Sequence, residues 1–187
     1  MSRLIFLLLL ACVSCQNISK YAISTYDLET PSQIWKLPKE LDEISGITMA
    51  NNETIFCIND EEGIIYEYNL ENNTIEDRFT FGKNNDYEDI ATLVDRFFVL
   101  QSNGTLFCVD KTKNVTEYKT FLTQKQNTEG LCFDKKNHQL LIACKNKVDK
   151  KITVYRFDLK TNQMQNQPII TFSTQDLFNK NFAPSGI

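Results

Sequence analysis

Short apolar runs alternate with polar turns through most of this 187-residue chain, and the runs have the length and residue types of β-strands. In the first such unit the predicted strands cover 46–49, 54–58, 64–70 and 74–81. The segments between them are rich in Asn, Asp, Glu and Gly, which is typical of tight turns. The pattern therefore predicts four consecutive strands joined by short connections.

The same plan recurs twice. The second unit has predicted strands at 89–93, 96–101, 105–109 and 115–122, and the third at 130–133, 139–144, 151–159 and 168–172, with insertions at 146–150 and 160–167. A related tripeptide opens each unit, in the copies Ser45-Gly46-Ile47, Glu88-Asp89-Ile90, Glu129-Gly130-Leu131 and Ser185-Gly186-Ile187. A recurrence of about forty residues with four strands per unit is typical of a β-propeller. We therefore predict an all-β fold of four-stranded antiparallel blades.

The repeat also predicts the domain organisation. Blades are expected near 43–82, 87–123 and 128–173 within a partial propeller covering 41–187, and the next blade is expected to begin at 184. Because propellers close with about four to eight blades, we expect the chain to be the N-terminal part of a longer protein. Residues 16–40 are predicted to form a tether, in which 21–28 reads as a strand that could close the ring.

The N-terminus predicts export and lipid attachment. Arg3 is followed by an apolar stretch that is shorter than the roughly 20 residues of a membrane-spanning helix. Within it, a small residue precedes Cys15, and another precedes Cys12, as in the bacterial lipobox. We expect 1–15 to be the signal peptide and lipidation site, with Cys15 as the acylated residue and Cys12 as the alternative. The predicted location is the bacterial cell envelope, with the membrane as a partner through the lipid anchor.

Composition narrows the functional classes. The formal net charge of −4 and the lack of a basic stripe argue against nucleic-acid binding. An acidic balance is compatible with cation binding. The cysteines outside the predicted signal are expected to be small buried hydrophobic residues. If one disulfide exists, Cys132 with Cys144 is the first pair to consider.

Carboxylates recur at the signature tripeptide. Since each copy should occupy the same place in its blade, Glu88 and Glu129 are expected to project toward one ring near the central channel. Glu43 and Asp89 would lie beside them, and Asn59, Asp60 and Glu61 could contribute from a neighbouring loop. Converging carboxylates repel one another unless a cation, bound water or a raised pKa relieves the repulsion. Oxygen ligands without His or Cys favour Ca²⁺. The alternative is that these side chains accept hydrogen bonds from turn amides or face water.

The sequence gives little support for catalysis. It contains no Gly-x-Ser-x-Gly elbow and no His-Glu-x-x-His motif, and its single histidine, His138, is predicted to lie in an exposed turn. Hydrolysis of a phosphate would favour basic residues near the carboxylates, for which Lys83 and Lys125 are the nearest in sequence. Whether the protein is an enzyme stays open.

Several segments together resemble a known family, namely 35–38, 41–47, 57–61, 86–90 and 127–131. Over residues 33–187 they look like the SdiA-regulated family, also called the YjiK/CarP family. The resemblance implies a six-bladed propeller of the phytase-like or esterase-like type, attached to the bacterial envelope and associated with calcium. Since Lys83 and Lys125 are too few basic residues for phosphate hydrolysis, we expect a binding or sensing module that takes a small ligand or an envelope protein. The alternative is a Ca²⁺-dependent phytase-like or esterase-like hydrolase. Asp89 departs from the Gly found in the other copies.

Overall fold

The computed structural model describes residues 30–146 and 151–173. The predicted signal and lipidation site, the predicted strand at 21–28 and the last copy of the signature lie outside these residues. The chain divides into two compact units, Met1–Ile34 and Trp35–Ile187, and all the elements below belong to the second. In the part of the chain that the structure describes, no helix is long and apolar enough to cross a membrane.

Within the described residues, three antiparallel sheets follow one another after a short 3-10 helix at Lys39–Leu41. Blade 1 contains β1 (Ile44–Met49), β2 (Thr54–Asn59), β3 (Ile64–Asn69) and β4 (Thr74–Thr80). Blade 2 contains β5 (Tyr87–Leu93), β6 (Arg96–Gln101), β7 (Leu106–Asp110) and β8 (Val115–Tyr118). Blade 3 contains β9 (Thr128–Asp134), β10 (Gln139–Cys144), β11 (Lys151–Asp158), β12 (Gln163–Met164) and β13 (Ile170–Ser173). Blades 1 and 2 pair their strands in chain order, and blade 3 does so from β9 to β12, which confirms the prediction of four-stranded antiparallel blades.

The fourth strand of blade 3 differs from the prediction, because β12 and β13 both pair with β11. Between them, the amides of Gln165 and Ile169 still donate to carbonyls of β11. Pro168 has no amide to donate, so pairing cannot be continuous there. The segment 160–167, predicted as an insertion, therefore supplies part of the outer strand.

The fourth strand of blade 2 ends earlier than predicted. β8 stops at Tyr118, whereas the apolar pattern extends to Leu122. Beyond it, the Thr120 hydroxyl donates to the Gly104 carbonyl at 2.9 Å and accepts from the Leu122 amide at 3.1 Å. A side chain that bonds nearby backbone in this way competes with the strand ladder.

The core consists of clusters between and beside the blades. Blades 1 and 2 share buried residues that include Ile58, Ile65, Tyr87, Ile90 and Val99. Blades 2 and 3 share a larger cluster that includes Phe98, Leu100, Leu131, Leu140, Ile142 and Phe157. A third cluster covers the other face of blade 1 and includes Ile55, Cys57, Tyr66 and Tyr68, with Leu41 from the 3-10 helix. Blades buried on both faces explain the continuous apolar runs of the sequence.

The described cysteines are free, so the candidate disulfide between Cys132 and Cys144 is wrong. The register separates the two residues, since Cys132 lies opposite Leu141 and Cys144 lies opposite Thr128. Burial raises the pKa of the Cys57 thiol to about 11. Cys57, Cys108 and Cys144 are buried, as expected for small hydrophobic residues.

Candidate functional site at the inner-strand bulges

The signature tripeptide forms a β-bulge at the start of the innermost strand of each blade. In blade 1, Ile44 and Gly46 are paired with consecutive residues of β2, and Ser45 between them has no partner. The same interruption leaves Glu88 unpaired in β5 and Glu129 unpaired in β9. A bulge inserts one extra residue and redirects its side chain. The three positions are therefore structurally equivalent, as the repeat predicted.

Glu129 is buried and is held by two donors. The Lys145 amine lies 2.8 Å from its Oε1 atom, and the Asn127 side-chain amide donates to the same atom at 2.9 Å. Only 10% of the Glu129 side chain is exposed, compared with 42% for Lys145. This ion pair is therefore more shielded from solvent than a surface pair. Lys145 balances the charge of Glu129 from within the protein.

Glu88 lies next to this ion pair, and its environment disfavours the charged form of its carboxyl group. Burial, followed by repulsion from Glu129 and Asp86, raises the pKa of Glu88 to about 7, and Lys145 opposes the shift only weakly. The pKa of Lys145 is raised in turn, mainly by its hydrogen bond to Glu129 and also by the charges of Glu88 and Asp86. A lysine cation and a raised pKa thus relieve the repulsion that the sequence predicted among these carboxylates.

Asp89 connects blades. Its Oδ1 atom accepts the Ile90 amide at 2.8 Å, and its Oδ2 atom accepts the Leu131 amide of blade 3 at 2.7 Å. Burial raises its pKa to about 6, although both amide hydrogen bonds oppose the shift. Both oxygens are therefore occupied by backbone donors, as the alternative reading of the carboxylates anticipated.

The described contacts of Asn59 and Glu43 are with residues other than the bulge carboxylates. The Asn59 Oδ1 atom accepts the Glu62 amide at 2.7 Å, and its side-chain amide donates to Glu62 Oε2 at 3.4 Å. Asn59 thereby fixes the turn that leads into β3. Glu43 is exposed with a φ of 60°, and its backbone carbonyl accepts the Asp60 amide at 3.3 Å.

Asp60 lies at a cavity of about 390 Å³ lined by Asp60, Glu61, Asn84, Asn85 and Asp86. Its Oδ1 atom is buried and has no hydrogen-bond partner among the described residues. Backbone bonds hold the walls together, since the Asp60 carbonyl accepts the Tyr87 amide at 2.8 Å and the Glu61 carbonyl accepts the Asn85 amide at 2.8 Å. Asp86 also acts on Glu88 electrostatically, so this cavity adjoins the bulge carboxylates.

The sequence did not identify Lys145, Asp86, Asn84 or Asn85 as site residues. The lysine beside the carboxylates is Lys145, whereas Lys83 and Lys125 were the nearest candidates in sequence. Lys145 follows β10 directly, and its amide donates to the Asn127 carbonyl at 2.8 Å. A basic residue immediately after the strand that pairs with the signature strand is the signal that could have found it.

Within residues 30–146 and 151–173, no group of three or more His, Cys, Asp or Glu side chains is arranged to hold a metal ion. His138 lies in an exposed turn with a φ of 53°, as predicted, and its ring packs edge-on against Phe133.

No protein-family model and no curated protein sequence matches the chain. Solved structures do match in fold. Virginiamycin B lyase from Staphylococcus aureus superposes with a TM-score of 0.55 and 15% identity, over 81% of this chain and 47% of the lyase. A streptogramin B lyase superposes with a TM-score of 0.53 and 13% identity, over 77% of this chain and 44% of that protein. Hydrazine synthase of Kuenenia stuttgartiensis superposes with a TM-score of 0.54 and 14% identity, over 86% of this chain and 41% of the synthase.

The chain has a β-propeller fold. It spans less than half the length of these three proteins. Identities of 13 to 15% show a shared fold and carry no activity from one protein to another.

Proposed function

We propose that the protein is a bacterial envelope binding module whose β-propeller presents an acidic, oxygen-rich site near the inner-strand bulges. The observation that supports a ligand there concerns Asp60, which lines the 390 Å³ cavity and whose buried Oδ1 atom has no hydrogen-bond partner among the described residues. A buried acceptor without a donor is costly, so an external partner would stabilise it.

The chemistry of the cavity fits Ca²⁺. Its lining offers carboxylate and amide oxygens from Asp60, Glu61, Asn84, Asn85 and Asp86 and includes no His or Cys. Ca²⁺ binds carboxylates, amide carbonyls and waters, so it does not require three carboxylates. Of the candidate ligands named from sequence, Asp60 and Glu61 line this cavity. The observed contacts engage Glu129, Asp89 and Asn59 with internal donors. A bound Ca²⁺ would supply positive charge beside Asp60 and Asp86.

The resemblance to the SdiA-regulated family belongs to this proposal. Support comes from the position of its motifs, because 86–90 and 127–131 contain the bulges of β5 and β9. A binding or sensing role is favoured over hydrolysis, since the single lysine in direct contact with a bulge carboxylate pairs with Glu129 in the described structure. A small ligand or an envelope protein is the proposed partner at the same face.

Calorimetric titration of the full chain in detergent with CaCl₂ at pH 8 tests the proposal. Extracellular calcium modules bind with dissociation constants of about 10⁻⁴ to 10⁻³ M. At roughly ten times that constant, the stabilisation is about 1.4 kcal/mol. We expect heat of binding and a higher unfolding temperature for the wild type, and neither for Asp60→Asn.

Glu71→Gln is the matched control, because Glu71 is an exposed acidic residue in a turn of blade 1 outside the cavity lining. It should bind Ca²⁺ like the wild type. A wild type that shows no heat and no stabilisation would overturn the calcium proposal. Turnover of phosphomonoesters or lactones that Asp60→Asn abolishes would assign the hydrolase function instead.

We also propose that acylation of Cys15 attaches the protein to the membrane. The support is the lipobox-like sequence around Cys12 and Cys15 after an apolar stretch. In a bacterial host supplied with labelled palmitate, Cys15→Ser should lose both the label and membrane fractionation, whereas Cys12→Ser should keep both. Retention of label in Cys15→Ser and loss in Cys12→Ser would move the anchor to Cys12. Label that persists when both cysteines are replaced by Ser would rule out lipidation at these two positions.

A further inference from the structure

A second cavity, distinct from the acidic one, lies between blades 1 and 2. Its volume is about 180 Å³, and three phenylalanines line it, Phe56 of β2, Phe79 of β4 and Phe97 of β6. Phe56 and Phe97 meet across the two blades with ring centroids 4.5 Å apart in an edge-to-face arrangement. The volume is smaller than the roughly 300 to 1,000 Å³ of drug-sized pockets, so it suits a ligand of a few heavy atoms.

A carboxylate faces this aromatic cavity. Glu67 of β3 lies opposite Phe56 in one direction and Asp77 in the other, and all three line the cavity. Glu67 is partly buried, and burial together with the neighbouring Glu76 and Asp77 raises its pKa. A negative group beside aromatic faces is the arrangement that recognises organic cations.

The protein's own lysine shows which chemistry the cavity accepts. Lys113, in the turn after β7, reaches from blade 2 to blade 1 and lies 5.3 Å from the centre of the Phe79 ring. The same amine pairs with Asp77 at 3.2 Å. Both partners of this pair are more than half exposed, at 54% and 56%, so the contact is weak and a ligand can displace it.

The other basic residues of the lining engage elsewhere. The Lys111 amine lies 3.9 Å from the carboxylate of Asp95, and Asp95 is not part of the cavity lining. Arg78 lies opposite Tyr66 in the strand register and acts on its hydroxyl electrostatically, and Tyr66 belongs to the cluster on the other face of blade 1. Asp110 bonds the amides of Thr112 and Asn114. Besides Lys113, the charged groups left facing the three rings are therefore the carboxylates of Glu67 and Asp77.

The geometry points to a binding site for small organic cations, primary or quaternary ammonium compounds, in the cleft between blades 1 and 2. The methyl or methylene groups of the ligand contact Phe56, Phe79 and Phe97, and Glu67 balances its charge. Lys113 acts as an internal competitor for Asp77 and Phe79. This site is independent of the calcium proposal, because the two cavities share no residue.

Ligand-observed NMR with choline and the full chain tests the inference. Glu67→Gln should weaken binding at least about fivefold, since it removes the balancing charge. Lys113→Met keeps the aliphatic stem but removes the competing amine, and it should tighten binding about threefold or more. Glu71→Gln, with an exposed carboxylate elsewhere, should bind choline like the wild type.

The neutral carbon isostere of choline, 3,3-dimethylbutan-1-ol, distinguishes recognition of the cation from binding of an apolar group. We expect it to bind at least tenfold more weakly than choline. Equal binding of the two compounds would overturn the inference, as would unchanged affinity in Glu67→Gln or in Lys113→Met. If Glu67→Gln does not fold, Phe79→Leu on β4 replaces it, because it keeps apolar volume but removes an aromatic face. Unchanged affinity in that variant would equally contradict the site.

Discussion

At the level of single residues, the two bulge glutamates occupy equivalent positions but have different electrostatic environments. Glu129 is paired with Lys145 at 2.8 Å, whereas burial and two acidic neighbours raise the pKa of Glu88 to about 7. The Lys145 cation thus interacts with both carboxylates, and its interaction with Glu129 is the stronger of the two. Glu88 is therefore expected to hold a proton close to neutral pH.

Replacement of Glu88 by Gln should change how stability depends on pH. In the native state Glu88 keeps its proton up to about pH 7, whereas an unfolded chain releases it near 4.5. Between these values the native state binds more protons, so the contribution of Glu88 to the free energy of unfolding falls as pH rises. Glu88→Gln removes this loss. Its free energy of unfolding relative to the wild type should therefore increase from pH 5 to pH 8.

Urea denaturation of both proteins at pH 5, 6, 7 and 8 measures the difference. The control is again Glu71→Gln, whose curve should run parallel to that of the wild type, because Glu71 is exposed. A constant difference between Glu88→Gln and the wild type at all four pH values would show that Glu88 titrates normally.

The contacts of Asp89 explain why this copy of the signature has Asp instead of Gly. The other copies of the signature have Gly at this position, but Asp89 uses its carboxylate to accept the Leu131 amide of blade 3. The residue therefore joins neighbouring blades. Its burial and its two backbone donors account for the position without any ligand.

At the level of elements, the inner strands pack closely at the bulges. A Cβ atom added at Gly46 of β1 would lie 2.7 Å from both the Asp89 Cα atom and the Ile90 nitrogen of β5. These are backbone atoms, which cannot move aside as a flexible side chain can. Glycine at this point lets blades 1 and 2 approach each other.

Gly46→Ala should consequently destabilise the protein by about 1 to 3 kcal/mol, as expected for overpacking. Chemical denaturation measures the change. Ser45→Ala is the matched neighbour, because the Ser45 hydroxyl is buried without a partner among the described residues and its removal should cost little or stabilise. If Gly46→Ala stays within about 0.5 kcal/mol of the wild type, the backbones of β1 and β5 are not in tight contact.

The sequence predicted the strands well because each one is short, apolar and bounded by turn residues. It missed the early end of β8 and the division of β12 from β13, since Thr120 and the Pro168 region alter hydrogen bonding without altering hydrophobicity. The pairing of Lys145 with Glu129 was also missed. That contact depends on the register across a bulge, and apolar periodicity does not specify the register of a bulge.

The acidic cavity was beyond sequence reasoning for a different reason. Asp60 and Glu61 were identified, but Asn84, Asn85 and Asp86 come from the connection between blades 1 and 2. The position of such a connection depends on how two blades pack. Backbone bonds from Tyr87 to Asp60 and from Asn85 to Glu61 bring the two loops together.

For the whole molecule, the described blades are joined in series. One cluster joins blade 1 to blade 2, and another joins blade 2 to blade 3. Blade 2 contributes to both, and the third cluster covers the far face of blade 1. In repeat architectures stability is approximately a sum of unit stabilities and nearest-neighbour interfaces. A change in blade 2 should therefore spread further along the chain than an equal change at the far face of blade 1.

Leu100→Ala and Ile55→Ala test this unequal coupling. Leu100 is fully buried in the cluster between blades 2 and 3, and Ile55 is 5% exposed in the cluster beside blade 1. Each change should cost about 2 to 5 kcal/mol. In amide hydrogen exchange, Leu100→Ala should lower protection in all three blades, whereas Ile55→Ala should lower it mainly in β1–β4. Equal loss of protection throughout the chain in both variants would mean that the blades unfold as one cooperative unit, contrary to the serial arrangement of their interfaces.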